Sequence, residues 1–171
     1  MRLLKLASLS AFLSAVFLPA AHATGAEQGK PQGDMGPEGV WASQCEIDRM
    51  LDYRACRVSA YRQFDDGKQQ GFVALSVIPA GNDYHLFVTS NAGQVRACAL
   101  RVDRQPRIET QIATFGMCMF PNFLSGRTVE QFKNGSSVLI RLNYRGGGYR
   151  DIDFPLNGFS KAYDEMHRLT Q

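Results

Sequence analysis

The sequence is poor in the residue patterns that most often perform catalysis or bind metals. It has three histidines in 171 residues, and none of them lies at zinc-ligand spacing from a cysteine. It contains no Cys-x-x-Cys redox motif, no Gly-x-Ser-x-Gly nucleophile elbow and no Gly-x-x-x-x-Gly-Lys phosphate loop. These absences argue against a thioredoxin-like motif, a structural zinc site and a phosphate-binding loop. We therefore expect no cofactor and no metal.

The chain also has a small net charge and few long apolar runs. The formal net charge is +3, and no basic run is present that would favour binding to nucleic acid. Beyond residue 18 no segment is long and apolar enough to cross a bilayer. The sequence thus predicts no nucleic-acid partner and no transmembrane segment in the mature chain.

The N-terminus has the pattern of a secretory signal peptide. Arg2 and Lys5 precede an apolar run over residues 6–18, Pro19 follows it, and small residues lead up to Ala23. The run is shorter than the ~20 residues of a membrane span, which disfavours an uncleaved anchor. Cleavage after Ala23 would leave 148 residues and would lower Lys+Arg from 19 to 17, against 16 acidic residues. We expect an exported protein, either periplasmic or secreted to the cell surface.

The mature chain is predicted to contain one folded domain. Residues 24–39 are rich in Gly, Pro, Gln and charge and have almost no large apolar side chains, as is typical of flexible tails. No repeat and no second linker of this kind follows. The expected organisation is a signal peptide over residues 1–23, a tail over 24–39 and a single domain over 40–171.

Four cysteines in an exported chain indicate disulfide bonds. They are Cys45, Cys56, Cys98 and Cys118, and four cysteines allow three pairings. Proximity along the chain favours Cys45–Cys56 and Cys98–Cys118, each of which would contribute ~3 kcal/mol in the chain-entropy model. The sequence leaves the other pairings open.

Short segments with alternating polarity, separated by turn residues, predict an antiparallel β-sandwich or barrel. The segment over residues 72–78 is almost wholly apolar, which favours a central strand covered on both sides. A glycine triplet at 146–148 separates two alternating segments, so we expect a hairpin in which Arg141 or Arg145 faces Asp151 or Asp153. The predicted strands cover residues 54–61, 72–78, 84–89, 95–102, 138–145 and 149–154.

Two segments have helical character. Phe159, Tyr163, Met166 and Leu169 recur at helical spacing after Asn157, which is expected to cap the helix. Residues 128–133 fit a short helix with a Thr128-x-x-Gln131 capping box and a stop at Gly135. The alternative for this second segment is a hairpin turn at Asn134-Gly135.

The strongest candidate for catalysis is His85, which lies beside Asp83 in a predicted strand. It could serve as a base for Ser76 or Ser90, although no spacing supports this arrangement. The carboxylate pairs Asp65-Asp66 and Asp151-x-Asp153 are better explained as a turn and as the polar face of a strand. His167 is expected to be a solvated residue of the last helix. We find no converging catalytic set.

The order of motifs along the chain resembles the invasion-associated locus B family of exported bacterial proteins. The resemblance covers residues 40–169 and rests on the Trp41-x-x-x-Cys45 start, the two cysteine pairs and the closing Leu156-x-Gly-Phe-x-x-Ala162 segment. Family members often have a glycine directly before the fourth cysteine. In this chain the glycine lies one position earlier, at Gly116, and not directly before Cys118. The resemblance implies an immunoglobulin-like β-sandwich with a short helix and a C-terminal helix, and no catalytic residues.

The expected function is that of a non-enzymatic binding or envelope-accessory protein. Its partner would be a protein in the envelope or on a host surface, and a contribution to host-cell interaction is what the resemblance implies. Two alternatives stay open at this point. One is a periplasmic hydrolase that uses His85, and the other is an envelope assembly factor or chaperone that pairs with its partner through a sheet edge.

Overall fold

The computed structural model describes residues 36–65, 67, 69–123 and 127–170. The predicted signal peptide and most of the predicted tail lie outside the described residues. At the end of the predicted tail, the Gly39 amide donates a hydrogen bond to the carbonyl of Tyr61 (2.9 Å). The elements of the described part are β1 (Ala42–Asp48), β2 (Tyr53–Asp65), β3 (Gln70–Ala80), β4 (Asp83–Ser90), β5 (Val95–Val102), β6 (Ile108–Thr110), β7 (Ala113–Thr114), β8 (Met117–Phe120), α1 (Thr128–Asn134), β9 (Ser137–Tyr144), β10 (Tyr149–Pro155) and α2 (Phe159–Leu169).

The strands form two antiparallel sheets, so the prediction of a mainly β, two-sheet fold with two helices is confirmed. Sheet A has the order β1-β2-β3-β4-β8-β7, and sheet B has the order β10-β9-β5-β6. All strand pairs are antiparallel. This arrangement is compatible with the immunoglobulin-like topology that the family resemblance implies, and that finer assignment stays a prediction.

The core lies between the two sheets and is built from the alternating apolar residues of each strand. In β3 the inward side chains Val73, Leu75 and Val77 are fully buried. On the other face of β3, Ala74 is buried but Ile78 is 36% exposed. The predicted cover on both sides of this strand is therefore only partial.

Both disulfide bonds join the predicted partners. Cys98 of β5 bonds to Cys118 of β8, which links sheet B to sheet A inside the core. Cys45 of β1 bonds to Cys56 of β2, its direct cross-strand neighbour within sheet A. The first bond therefore fixes the two layers together, and the second bond staples one hairpin.

An aromatic cluster joins the opening Trp motif to the closing helix. The Trp41 ring meets the edge of Phe159 in α2 at 4.9 Å between centroids, and Phe132 of α1 lies 5.2 Å from Phe159. The indole Nε1 of Trp41 donates to the carbonyl of Pro155 at 2.8 Å. Of the predicted apolar repeat in α2, Leu169 alone is exposed (38%).

The predicted helix caps are wrong in both helices. Asn157 does not cap α2, because the helix begins after Gly158, which adopts a left-handed conformation with φ of 87°. Residues 128–134 are helical, which decides against the hairpin alternative, but the position before the helix is Arg127 and not the predicted Thr128. The Val129 amide instead donates to the Phe123 carbonyl (3.2 Å), so backbone from outside the helix satisfies it.

Gly135 follows the last turn of α1, as predicted, and its position has no room for a side chain. A Cβ atom at this position would lie 2.4 Å from Cγ1 of Val102 and 3.0 Å from Cδ1 of Leu156. Val102 and Leu156 are buried, so neither side chain can move away freely.

Four strands were not predicted: β1, β6, β7 and β8. Residues 42–48 contain no buried side chain, so β1 shows no alternation of apolar residues. The other three are only two to four residues long, which is below the length at which alternation can be recognised. Among the described residues, no helix is both long and apolar enough to span a membrane.

We predict that Gly135→Ala lowers the free energy of unfolding by about 1–3 kcal/mol, as overpacking of a core does. Gly146→Ala is the matched control, because nothing lies within 4 Å of its Cβ position. Urea denaturation of both variants measures the difference. Equal stability of the two variants would contradict the close packing at Gly135.

We also predict that the two disulfide bonds differ in their effect on stability. Replacing Cys98 and Cys118 with alanine removes the link between the sheets and should cost about 2–5 kcal/mol of global stability. Replacing Cys45 and Cys56 should mainly speed amide exchange in Tyr53–Arg57, with a smaller global loss. Hydrogen exchange and thermal denaturation measure both effects. A larger global loss for the Cys45–Cys56 pair would contradict this assignment.

Candidate functional site

The outer face of sheet B carries a groove that follows β5. The outward side chains of β5 at its centre are Ala97 and Ala99, and these are flanked by longer side chains on both neighbouring strands. Ala99 lies directly between Arg141 of β9 and Glu109 of β6. Ala97 lies beside Asn143 of β9. These two small side chains between longer ones leave a groove with a flat floor.

Two adjoining cavities make up this groove, which we call the β5 groove. One has a volume of about 240 Å³ and the other about 350 Å³. They share Glu109 and Asn143, so they form one continuous depression. Its lining consists of Arg96, Ala97, Cys98, Ala99, Leu100, Arg101, Arg107, Glu109, Gln111, Leu139, Arg141 and Asn143.

Two arginines of the groove are held by carboxylates. Arg141 pairs with Asp151 of β10 in a two-pronged contact, with Nε to Oδ1 at 2.7 Å and a terminal nitrogen to Oδ2 at 2.6 Å. This hydrogen bond to Asp151 raises the pKa of Arg141. Arg107 pairs with Glu109 at 2.9 Å. The cross-strand pairing of Arg141 with an aspartate of β10 is one of those predicted from the sequence.

The other two arginines of the groove have no such partner. Arg96 and Arg101 lie towards opposite ends of β5, and both are exposed. Neither makes a salt bridge or side-chain hydrogen bond with another described residue. Arg96 lies at a bulge of β5 between Val95 and Ala97, so the two arginines are closer along the strand than the ~17 Å that five fully extended residues would span. The groove therefore has an uncompensated guanidinium group near each end.

The chemistry of this groove suits an extended, anionic ligand. Guanidinium groups bind carboxylates and phosphates through planar paired hydrogen bonds. Between the two arginines, the Asn143 amide and the Glu109 carboxylate offer a donor and acceptors for a polar chain. The lining contains no aromatic residue.

The structure does not assemble the catalytic set considered for His85. Ser90 lies on the opposite face of β4, because its position differs from that of His85 by an odd number, and its hydroxyl accepts the Ala92 amide (3.1 Å). Ser76 of β3 lies on the same face of the sheet as His85 of β4, but its direct cross-strand neighbour is Phe87. Ser76 and His85 are therefore only diagonal neighbours. The buried Nδ1 of His85 has no hydrogen-bond partner among the residues that the structure describes.

The remaining polar candidates have local structural contacts. Asp65 accepts the Gly67 amide (2.8 Å) and the Gln70 side chain (2.7 Å), while Asp66 lies outside the described residues. His167 is exposed as predicted, and its Nδ1 is also 2.8 Å from the hydroxyl of Tyr84. Tyr163 stacks on His167, and burial raises the pKa of Tyr163.

The described residues contain no group of three or more His, Cys, Asp or Glu side chains that could hold a metal ion. Comparisons with protein-family models, with curated proteins and with solved structures find no match for this chain. The resemblance to the invasion-associated locus B family therefore stays a prediction.

The groove was not recognised from the sequence. Alternation in residues 95–102 indicates which side chains face the core, but Ala97 and Ala99 then count only as part of the outer face. The groove exists because these alanines lie beside Arg141, Asn143 and Glu109, and that depends on strand order and register. A pair of small residues at i and i+2 between alternating long ones is the one signal present in the sequence.

Proposed function

We propose that the chain is an exported, disulfide-stabilised, non-enzymatic binding protein whose β5 groove receives an extended acidic segment of a partner protein. The observation that carries this proposal is the pair of uncompensated guanidinium groups of Arg96 and Arg101 at the two ends of an alanine-floored groove. Disulfide bonds support a location in an oxidising compartment such as the periplasm or the cell exterior. The resemblance to the invasion-associated locus B family adds host-cell interaction as one setting for this binding.

An extended peptide fits the groove better than a sugar chain does. The floor at Ala97 and Ala99 is flat and lies low enough for a backbone to approach it closely. The walls offer polar side chains along the length of such a backbone, whereas the lining has no ring on which a sugar could stack. Acidic side chains four residues apart lie on one face of an extended peptide, about 13 Å from each other, so they would reach both arginines.

Two features speak against the alternatives. The long free edge of sheet B is β10, and it carries Asp151, Asp153 and Pro155. Charges and proline on an edge strand oppose pairing with another strand, which weakens the case for an assembly factor that acts through this edge. The hydrolase alternative cannot use Ser90 as its nucleophile, since Ser90 lies on the other face of the strand from His85.

Binding of a labelled acidic peptide tests the proposal. The peptide carries aspartates four residues apart, so that an extended chain presents both on one face, and a matched peptide carries asparagines in their place. Each charged hydrogen-bonded contact contributes about 1.5–3 kcal/mol, so we expect Arg96→Ala/Arg101→Ala to weaken binding of the acidic peptide at least tenfold. Fluorescence anisotropy measures the affinity, which should also fall with added salt.

Arg104→Ala is the matched control, because Arg104 is an exposed arginine outside the groove lining. It should leave the affinity unchanged. Equal binding of the two peptides, or an equal loss in the Arg104 variant, would contradict the assignment of the groove.

A second test addresses catalysis directly. We expect a screen against ester, peptide and glycan substrates to give the same background with the native chain and with His85→Ala. Turnover that His85→Ala abolishes would replace the binding proposal with the hydrolase alternative. Circular dichroism of both proteins shows whether the substitution preserves the fold.

A further inference from the structure

The β1–β2 hairpin projects beyond the rest of sheet A. The two strands form seven cross-strand pairs, from Ala42↔Ser59 to Asp48↔Tyr53. The pairing of β2 with β3 begins only at Val58↔Val77. The outer five pairs of the hairpin therefore have no third strand beside them, and residues 47–53 form a narrow tip.

The tip exposes large apolar side chains that a monomeric protein normally buries. Ile47 is 70% exposed, Met50 is 91% exposed, Leu51 is 69% exposed and Tyr53 is 50% exposed. They occupy four of the seven positions of the tip. Such a cluster calls for an apolar environment that the described part of the chain does not provide.

The apolar side chains lie on both faces of the hairpin and in its turn. Ile47 shares one face with Arg54, and Tyr53 shares the other face with Asp48. The turn is held by Asp48, whose Oδ1 accepts the amides of Met50 (2.8 Å) and Leu51 (3.1 Å). An apolar medium that surrounds the tip would bury more of these side chains than a surface that covers one face, since they point to both sides. We propose that this tip inserts into the surface of a lipid membrane.

The tip and the adjoining Arg54 carry two arginines and two aspartates, a balanced charge that suits a zwitterionic phospholipid surface. Arg49 and Arg54 are exposed and have no partner among the described residues, so both can bind lipid phosphates. Tyr53 combines an apolar ring with a polar hydroxyl, a combination that favours the membrane–water interface. Asp48 is engaged in the turn, and this leaves Asp52 as the one carboxylate of the tip without a described contact.

The Cys45–Cys56 bond gives the projecting hairpin a fixed shape. A two-stranded hairpin without further support is marginally stable in water. The disulfide bond crosses the hairpin at the base of its projecting part, where Cys56 is buried in the core and Cys45 packs against it. The tip is therefore presented ready for insertion, which lowers the ordering cost of binding.

Flotation with lipid vesicles tests the proposal on the chain as an expression host exports and oxidises it. The vesicles contain phosphatidylcholine alone or with about 30% phosphatidylglycerol, by analogy with anionic membrane surfaces. We expect Met50→Asp/Leu51→Asp to weaken binding at least tenfold, because the two substitutions replace apolar side chains that would enter the lipid with charged ones. Arg49→Ala/Arg54→Ala should reduce binding to the anionic vesicles more than binding to the neutral ones.

Phe115→Asp is the matched control. Phe115 is 96% exposed, and it lies at the other end of sheet A, beside the Ser90–Gly116 hydrogen bond (2.8 Å). This variant should float with vesicles as the native chain does, and thermal denaturation should show all variants folded. Failure of the native chain to bind either vesicle would overturn the proposal, as would an equal loss in the Phe115 variant. Capture of a protein through Met50 and Leu51 without vesicle binding would overturn it in favour of a protein partner. None of these outcomes depends on the β5 groove.

Discussion

The packing of one sheet against the other, with the Cys98–Cys118 bond between them, is the constraint on which the rest of the structure depends. Both cysteines are almost fully buried, and they join β5 at the centre of sheet B to β8 of sheet A. β5 is therefore held on its core side by a covalent bond and at both edges by strand pairing. The same strand supplies the floor of the groove on the opposite face. The stability of the core and the geometry of the candidate site are consequently properties of one strand.

The two candidate surfaces depend on the fold in different ways. The groove needs the register of three neighbouring strands, because its floor comes from β5 and its walls from β6 and β9. The hairpin tip comes from β1 and β2 alone, with the Cys45–Cys56 bond at its base, where α2 packs against both strands. The two disulfide bonds thus support separate parts of the molecule. The proposed acidic partner and the proposed lipid surface would not compete, since the two surfaces share no residue.

Much of the fold could be predicted from the sequence, because strong alternation marks the strands that face the core. The segments around Val58 and Ile140 alternate clearly, the apolar run around Leu75 marks a central strand, and proximity favoured the correct cysteine pairs. β1 escaped prediction because it is an edge strand with no buried side chain. The caps were assigned to Asn157 and Thr128 because their side chains favour capping, whereas Gly158 and the carbonyl of Phe123 perform these roles through backbone geometry. The groove and the tip depend on register and on projection beyond neighbouring strands, and neither is encoded in a local motif.

Site-specific crosslinking in living cells tests the central claim, that the outer face of sheet B binds the partner, most directly. A photoreactive residue in place of Asn143 stands in the groove wall, and one in place of Thr89 stands on the outer face of sheet A. The account predicts one protein captured from position 143 and not from position 89, joined through a segment rich in aspartate and glutamate. Capture of a partner from position 89 alone would contradict it, as would capture from position 143 that persists after Arg96 and Arg101 are both replaced with alanine.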